Sequence, residues 1–200
     1  KGPEKAAQEF SPLVERLFNS PAAARINGKL LIASYRTDYI SPDKLAQFIA
    51  ILKKKYGDSF YFISTISELK GKKLDNYIWL RNAFVRNNGK LPESEINAAR
   101  EYLRGYLKVS DGLLMNGVNH IDTEESDFDD KFYEDFVIAL FVSVLNEPEN
   151  KGKFLGLSAS LGYINHIAGG TQLERGTWTL RRSLEAAYGA KPDFIIMPEW

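Results

Sequence analysis

The stretch Leu30–Thr65, LLIASYRTDYISPDKLAQFIAILKKKYGDSFYFIST, contains a complete strand–helix–strand unit. It opens and closes on short apolar runs, LLIASY and FYFIST, that are typical of strands buried on both faces. Ser41 and Pro42 predict a helix start, because serine caps helices and proline fits the first helical position. Gly57 predicts its end. Apolar residues recur at helical spacing between these limits: Leu45, Phe48, Ile49 and Leu52.

The same alternation continues on both sides of this unit. Further strands are predicted at Gly112–Asn116, Phe154–Tyr163 and Phe194–Met197. Helices are predicted from Ser11 to Phe18, from Pro92 onward, at about 131–145 and at about 177–188. The segment 131–145 is unusually apolar, so we expect it to be covered on more than one side. Strands that alternate with helices predict an α/β fold with a parallel sheet and right-handed crossovers.

Two architectures fit this order, an open doubly wound sheet and a closed barrel. No G-x-G-x-x-G or Walker loop follows a predicted strand, which argues against a nucleotide-binding sheet. Five predicted strands are too few for a complete eight-stranded barrel. The sequence therefore predicts a partial (β/α)8, TIM-like barrel, with residues 1–200 as a single domain or a barrel fragment truncated at both ends.

Composition excludes several classes of function. Basic and acidic residues balance at 26 each, so net charge does not suggest nucleic acid as a partner. Cysteine is absent, which excludes disulfides and thiolate chemistry. No apolar run is long enough to span a membrane. His120 and His166 are too far apart for a metal motif, and the acidic run Asp122–Asp130 lacks the central glycine of a calcium loop. We predict neither a metal nor a cofactor, and the oligomeric state stays open.

Polar and aromatic residues follow the predicted strands, where βα scaffolds carry their functional side chains. The candidates are Tyr35 and Asp38, then Asn116, Asn119 and His120, then Tyr163, Asn165 and His166, and finally Glu199 and Trp200. Aromatic rings pack on the apolar faces of sugars, while amide, carboxylate and imidazole groups bind hydroxyls. A carboxylate at a barrel mouth suits glycosidic bond chemistry. The set predicts a site for an oligosaccharide or polysaccharide.

Several of these residues also have a purely structural explanation. Asp38 is equally well placed to cap the helix that follows it. Asn116 and Asn119 are of the type that holds a loop by bonding its own backbone. Tyr163 and Trp200 are alternatively core aromatics at strand ends. These alternatives stay open at the level of sequence.

Four segments also resemble a known enzyme family. They are Asn19–Tyr35 (NSPAAARINGKLLIASY), Asp111–Asn116 (DGLLMN), Gly162–Asn165 (GYIN) and Phe194–Trp200 (FIIMPEW). Their order and spacing resemble the barrel strands of glycoside hydrolase family 99 and its relatives. Family 71, the α-1,3-glucanases, is a related possibility.

The resemblance implies a retaining, endo-acting enzyme on an α-linked glycan, of endo-α-mannosidase or α-glucanase type. Glu199 and Trp200 match the first two positions of the family's Glu-Trp-x-Glu pattern, which implies that Glu199 assists the substrate 2-hydroxyl as a base. The second glutamate would follow Trp200, so the catalytic pair is incomplete in this chain and the isolated chain is expected to be inactive. Tyr163 would match a motif tyrosine near the reacting sugar. A glycan substrate favours a secreted, periplasmic or cell-surface location.

Two other functions remain in competition. A non-catalytic carbohydrate-binding domain is suggested by Pro198 and Ile164, which stand where the family motifs have Asn and Asp. An open α/β interaction or transport domain predicts instead a sheet that does not curl toward closure.

Overall fold

The computed structural model describes residues 2–67, 69, 80, 83–84, 86–116, 136–159 and 177–197. Its helices are α1 (Pro3–Phe18), α2 (Pro42–Tyr56), α3 (Glu93–Leu107), α4 (Ala139–Leu145) and α5 (Thr177–Gly189). Its strands are β1 (Arg25–Ile26), β2 (Lys29–Ser34), β3 (Phe60–Ile66), β4 (Gly112–Met115), β5 (Phe154–Ser158) and β6 (Phe194–Ile196). Short 3₁₀ turns lie at Thr37–Tyr39 and Pro148–Asn150.

The six strands form one sheet in the order of the sequence, β1 to β6. β1 and β2 are antiparallel, and every later neighbouring pair is parallel. A doubly wound sheet reverses its strand order at a switch point, whereas this sheet advances in one direction and curls into a half-barrel. The predicted partial TIM-like barrel is confirmed. The open alternative predicted a sheet that does not curl toward closure, and this sheet curls.

A two-residue hairpin at the start of the sheet was not among the predicted elements. Asn27 and Gly28 connect β1 to β2, with φ of 50° and 80°. Positive φ at both central residues is the type I′ turn that Asn-Gly favours. The hairpin covers the start of the outer edge of β2 with a paired strand.

The hydrophobic core lies between the sheet and the helices. On β3, Phe60, Phe62 and Ile66 are buried in it, and the ring of Phe62 meets Phe48 of α2 edge-on at 5.9 Å. The predicted stripes of the helices face this layer, as the burial of Leu45, Ile49 and Leu52 on α2 and of Ala99, Leu103 and Leu107 on α3 shows. α4 buries Leu140, Phe141 and Val144 and exposes Ala139 and Ser143.

Several predicted boundaries were wrong. α1 begins at Pro3, well before Ser11, and it continues through Pro12. The strand predicted at Phe154–Tyr163 ends at Ser158, and residues 160–163 lie outside the described residues. Of the predicted helix at 131–145, residues 131–135 lie outside them too. Among the described residues, no helix is long and apolar enough to cross a membrane.

Candidate functional site

Strand register defines which side chains share the inner face of the sheet. Side chains alternate between faces along a strand, and partners in register point to the same side. Phe62 faces the helices, whereas the ring of Tyr61 contacts Phe154 of β5 at 4.8 Å on the opposite face. This inner face ends, toward the carboxyl ends of the strands, in two rows. The first row is Thr65, Leu114, Gly156 and Phe194, and the second contains Ser158 and Ile196. Ser67 and Asn116 directly follow the last residues of β3 and β4 at this end.

Asp38 and Asn116, both predicted site residues, are joined through Ser67 at this edge. The Asp38 carboxylate accepts a hydrogen bond from the Ser67 backbone N–H at 3.1 Å, and Asp38 is only 5% exposed. The Asn116 amide donates to the Ser67 hydroxyl oxygen at 3.2 Å. Carboxylate, hydroxyl and amide groups from three successive βα connections therefore form one hydrogen-bonded set.

A threonine fixes the turn that carries Asp38. The Thr37 hydroxyl donates to the Ser34 carbonyl at 3.1 Å and accepts from the Thr65 N–H at 2.9 Å. Thr37 is buried, so both bonds are shielded from water. The turn starts at Arg36 in the left-handed region, with φ of 51°. This clamp sets the position of Asp38 relative to β3.

Helix α3 holds the same turn from behind. The Tyr106 hydroxyl donates to the Ile40 carbonyl at 2.8 Å and lies 3.4 Å from the Asp38 carbonyl. Burial raises the pKa of the Tyr106 hydroxyl; a hydrogen bond from Tyr102 partly offsets that rise, and the negative charge of Asp38 adds to it. Tyr106 consequently remains a protonated donor through the physiological range.

The inner face also contains a buried hydroxyl with no hydrogen-bond partner among the described residues. Thr65 is 3% exposed, and its Oγ1 makes no such bond there. The Ser64 hydroxyl, on the opposite face, is also buried and has no hydrogen-bond partner among the described residues. A buried, unsatisfied polar group costs about 1–3 kcal/mol. Such a group at the carboxyl edge of the sheet has room for a partner that the described residues do not supply.

The structure describes three of the ten predicted site residues. Tyr35 directly follows β2 and is 63% exposed. Asp38 binds the loop after β3, a contact that the helix-cap alternative did not anticipate, and Asn116 binds a side chain of another connection. The other seven lie outside the described residues: Asn119, His120, Tyr163, Asn165, His166, Glu199 and Trp200.

Ser67 and Thr65 were not among the predicted site residues. Two-residue spacing at the end of a strand was the available signal, because it places both hydroxyls on one face. No group of three or more potential metal ligands occurs in the part of the chain that the structure describes.

Comparison with known proteins gives a match in fold. Neither a protein-family model nor a curated protein sequence matches the chain. A solved structure described as a glycoside hydrolase-like protein covers 96% of this chain, with a TM-score of 0.64 and 13% identity. The GH99 endo-alpha-mannosidase from Bacteroides thetaiotaomicron covers 100% of it, with a TM-score of 0.58 and 16% identity.

The chain spans 50% of the length of each of these two proteins. Identities this low carry information on the fold alone. The predicted resemblance to family 99 is confirmed at that level: the chain has a glycoside hydrolase-like barrel fold.

Proposed function

We propose that this chain is a glycoside hydrolase-like domain that binds an α-linked glycan at the carboxyl edge of its sheet. The observation that carries the proposal is the hydrogen-bonded set of Asp38, Ser67 and Asn116. Functional sites of (β/α)8 barrels lie at this edge. The glycan class, an α-mannan or an α-glucan, follows from the family resemblance.

The chemistry of the edge suits a neutral polyhydroxylated ligand. Carboxylate and amide groups accept from and donate to sugar hydroxyls, and the exposed Tyr35 ring offers an apolar surface for a pyranose face. The Thr65 hydroxyl supplies a further polar group at the floor of the inner face. In this proposal Asn119, His120, Tyr163, Asn165, His166 and Trp200 contribute the remaining subsite contacts.

Glu199 is the proposed catalytic carboxylate. It would act as the base that assists the substrate 2-hydroxyl, while a second carboxylate protonates the leaving oxygen. The Glu-Trp-x-Glu pattern locates that second group two residues after Trp200, so hydrolysis requires a chain that carries it.

Calorimetric titration with maltotriose and with an α-linked mannotriose tests the binding site. Asn116→Ala removes a donor from the polar set and should weaken binding about tenfold, the value of one good hydrogen bond. Asn97→Ala is the matched control, because Asn97 is exposed on α3 and bonds only to Arg100 in the hydrogen bonds that we identify. Equal affinities of the two variants would sink the proposed site.

A second candidate is a carbohydrate-binding domain without turnover. Pro198 and Ile164, which replace the Asn and Asp of the family motifs, favour it. The two candidates differ in the release of new reducing ends from α-mannan or α-glucan by a chain extended past Trp200. Release that is lost in Glu199→Gln supports the hydrolase, whereas binding without release supports the second candidate.

A further inference from the structure

An open cavity of about 610 Å³ lies on the outer side of the sheet, between α1 and α2. Its volume falls within the range of small-molecule sites, about 300–1,000 Å³. Its lining combines apolar residues of both helices, among them Phe10 and Phe48, with a polar rim that includes Glu9, Ser34, Tyr39 and Lys44. The candidate site at the inner face contributes none of its hydrogen-bonded residues to this cavity.

The cavity is lined by two half-buried rings, Phe10 and Phe48, which form a chain of aromatic contacts with the fully buried Phe62 beneath them. Phe10 of α1 lies 5.6 Å from Phe48 of α2, and Phe48 lies 5.9 Å from Phe62 of β3. Phe62 is fully buried, which anchors the chain in the core. A fixed apolar floor of this kind loses little side-chain entropy when a ligand packs on it.

The rim carries an exposed aromatic ring that is already oriented. Tyr39 is 68% exposed, and the Arg36 guanidinium carbon lies 4.0 Å from its ring centroid. This cation–π contact covers one face of the ring and restricts its rotamers. Tyr39 therefore offers an aromatic surface at the cavity, of the kind on which pyranose rings pack.

The polar part of the rim carries no net charge. Glu9 and Lys44 contribute one charge of each sign, and Ser34 and Ser41 contribute hydroxyls. A phosphate or a polyanion would meet the Glu9 carboxylate, and a cation would meet Lys44. A neutral ligand rich in hydroxyl groups satisfies this rim without an uncompensated charge.

We propose that this cavity is an accessory saccharide-binding site, separate from the inner face, that takes one or two residues of a neutral glycan. The inference rests on the proposed function, because it supplies a second contact for the same polymer. Tyr39 and Ser41 lie close to Asp38 on the connection between β2 and α2, so both sites share that connection. A chain held at the cavity would raise the local concentration of glycan at the edge of the sheet.

Amide chemical-shift mapping of the whole chain with maltotriose and an α-linked mannotriose tests this site. We expect saturable shifts at Ala6, Ser41 and Lys44, which report the cavity, separately from shifts at Ser67 and Asn116, which report the inner face. Tyr39→Ala should weaken the cavity shifts about tenfold and leave those of the inner face in place. Tyr188→Ala is the control, because Tyr188 is equally exposed but lies on α5.

The two sites fail independently. Cavity shifts that persist in Asn116→Ala support the accessory site even if the inner face binds nothing. Absent cavity shifts, or a Tyr39→Ala affinity equal to that of Tyr188→Ala, overturn it while leaving the inner-face proposal intact. Binding of indole at the cavity without binding of either trisaccharide would also overturn it, since the cavity would then take small apolar ligands.

Discussion

The two ends of the sheet differ in how the buried polar groups of their strands are paired: at the amino end, carboxylates that reach solvent accept from buried backbone N–H groups. At the amino ends of the strands, the Asp111 carboxylate accepts from the Phe62 N–H at 2.9 Å, and the Asp193 carboxylate accepts from the Leu155 N–H at 2.7 Å. At the carboxyl ends, the hydroxyls of Thr65 and Ser64 are buried without partners among the described residues. The paired groups at the amino end stabilise the sheet, whereas the hydroxyls at the carboxyl end remain available to bind a ligand.

The aspartates of the amino end repeat one arrangement. Each aspartate directly precedes a strand and bonds twice to one residue of the neighbouring strand. Its carboxylate accepts from the N–H of that residue, and its own backbone N–H donates at 2.8 Å to the carbonyl of the same residue. Asp111 therefore closes a two-bond ring with Phe62, and Asp193 closes the same ring with Leu155. These bonds join the start of β4 to β3 and the start of β6 to β5.

The largest expected effect is at Asp111. Asp111→Ala leaves the Phe62 N–H buried without its acceptor and should lower the free energy of unfolding by about 2 kcal/mol. Urea denaturation measures it. Asp111→Asn keeps an acceptor oxygen and should recover most of the loss, which separates the hydrogen bond from the charge. Asp58→Ala, at an exposed aspartate paired with Lys29, should change little; a loss equal to that of Asp111→Ala would contradict the comparison.

A paired test of two buried hydroxyls asks whether the ends really differ. The Ser110 hydroxyl contacts the carbonyls of Tyr106 and Gly112 at 2.8 and 3.0 Å. Ser110→Ala should therefore cost about 1 kcal/mol of unfolding free energy. Thr65→Val removes a hydroxyl without a described partner, so it should leave stability unchanged or slightly higher.

The same pair separates stability from binding. In titrations with an α-linked trisaccharide, Thr65→Val should bind more weakly than Ser110→Ala, because only Thr65 faces the proposed site. A large stability loss in Thr65→Val would mean that its hydroxyl has a structural partner. In that case the contrast between the two ends would disappear.

Local sequence patterns predicted the fold well. Apolar runs and helical stripes depend on neighbouring residues, so the five parallel strands and α2 appear at their predicted places. The hairpin at Asn27 and Gly28 has an equally local signal, the Asn-Gly pair, although it was not among the predicted elements. The helix α1 begins at Pro3 rather than at the predicted Ser11, and it continues through Pro12, a residue that normally interrupts helices.

The site was only partly predictable for a physical reason. Asp38 and Asn116 follow from the rule that strand ends carry function, but their link through Ser67 depends on strand register and on the left-handed turn at Arg36. The cavity between α1 and α2 depends on how two helices pack across the sheet, which no short stretch of sequence encodes.

The smallest expected effect is a pH dependence at the amino end. The Lys153 ammonium donates to the Ser110 carbonyl at 2.5 Å, and burial lowers the pKa of Lys153, which nearby Lys53 also lowers and Asp111 partly restores. Between the lowered folded pKa and the unfolded value of 10.5, the unfolded chain binds more protons. Stability from this group must therefore rise with pH in that window.

The variant Lys153→Met isolates this contribution from that of every other titrating group. We expect the unfolding free energy of the wild type, relative to Lys153→Met, to increase modestly from pH 8 to pH 10. A difference that stays flat or falls would mean that the ammonium is adequately solvated or paired when charged. The charged groups of the amino end would then be as well paired as its neutral groups, and the difference between the two ends of the sheet would be larger.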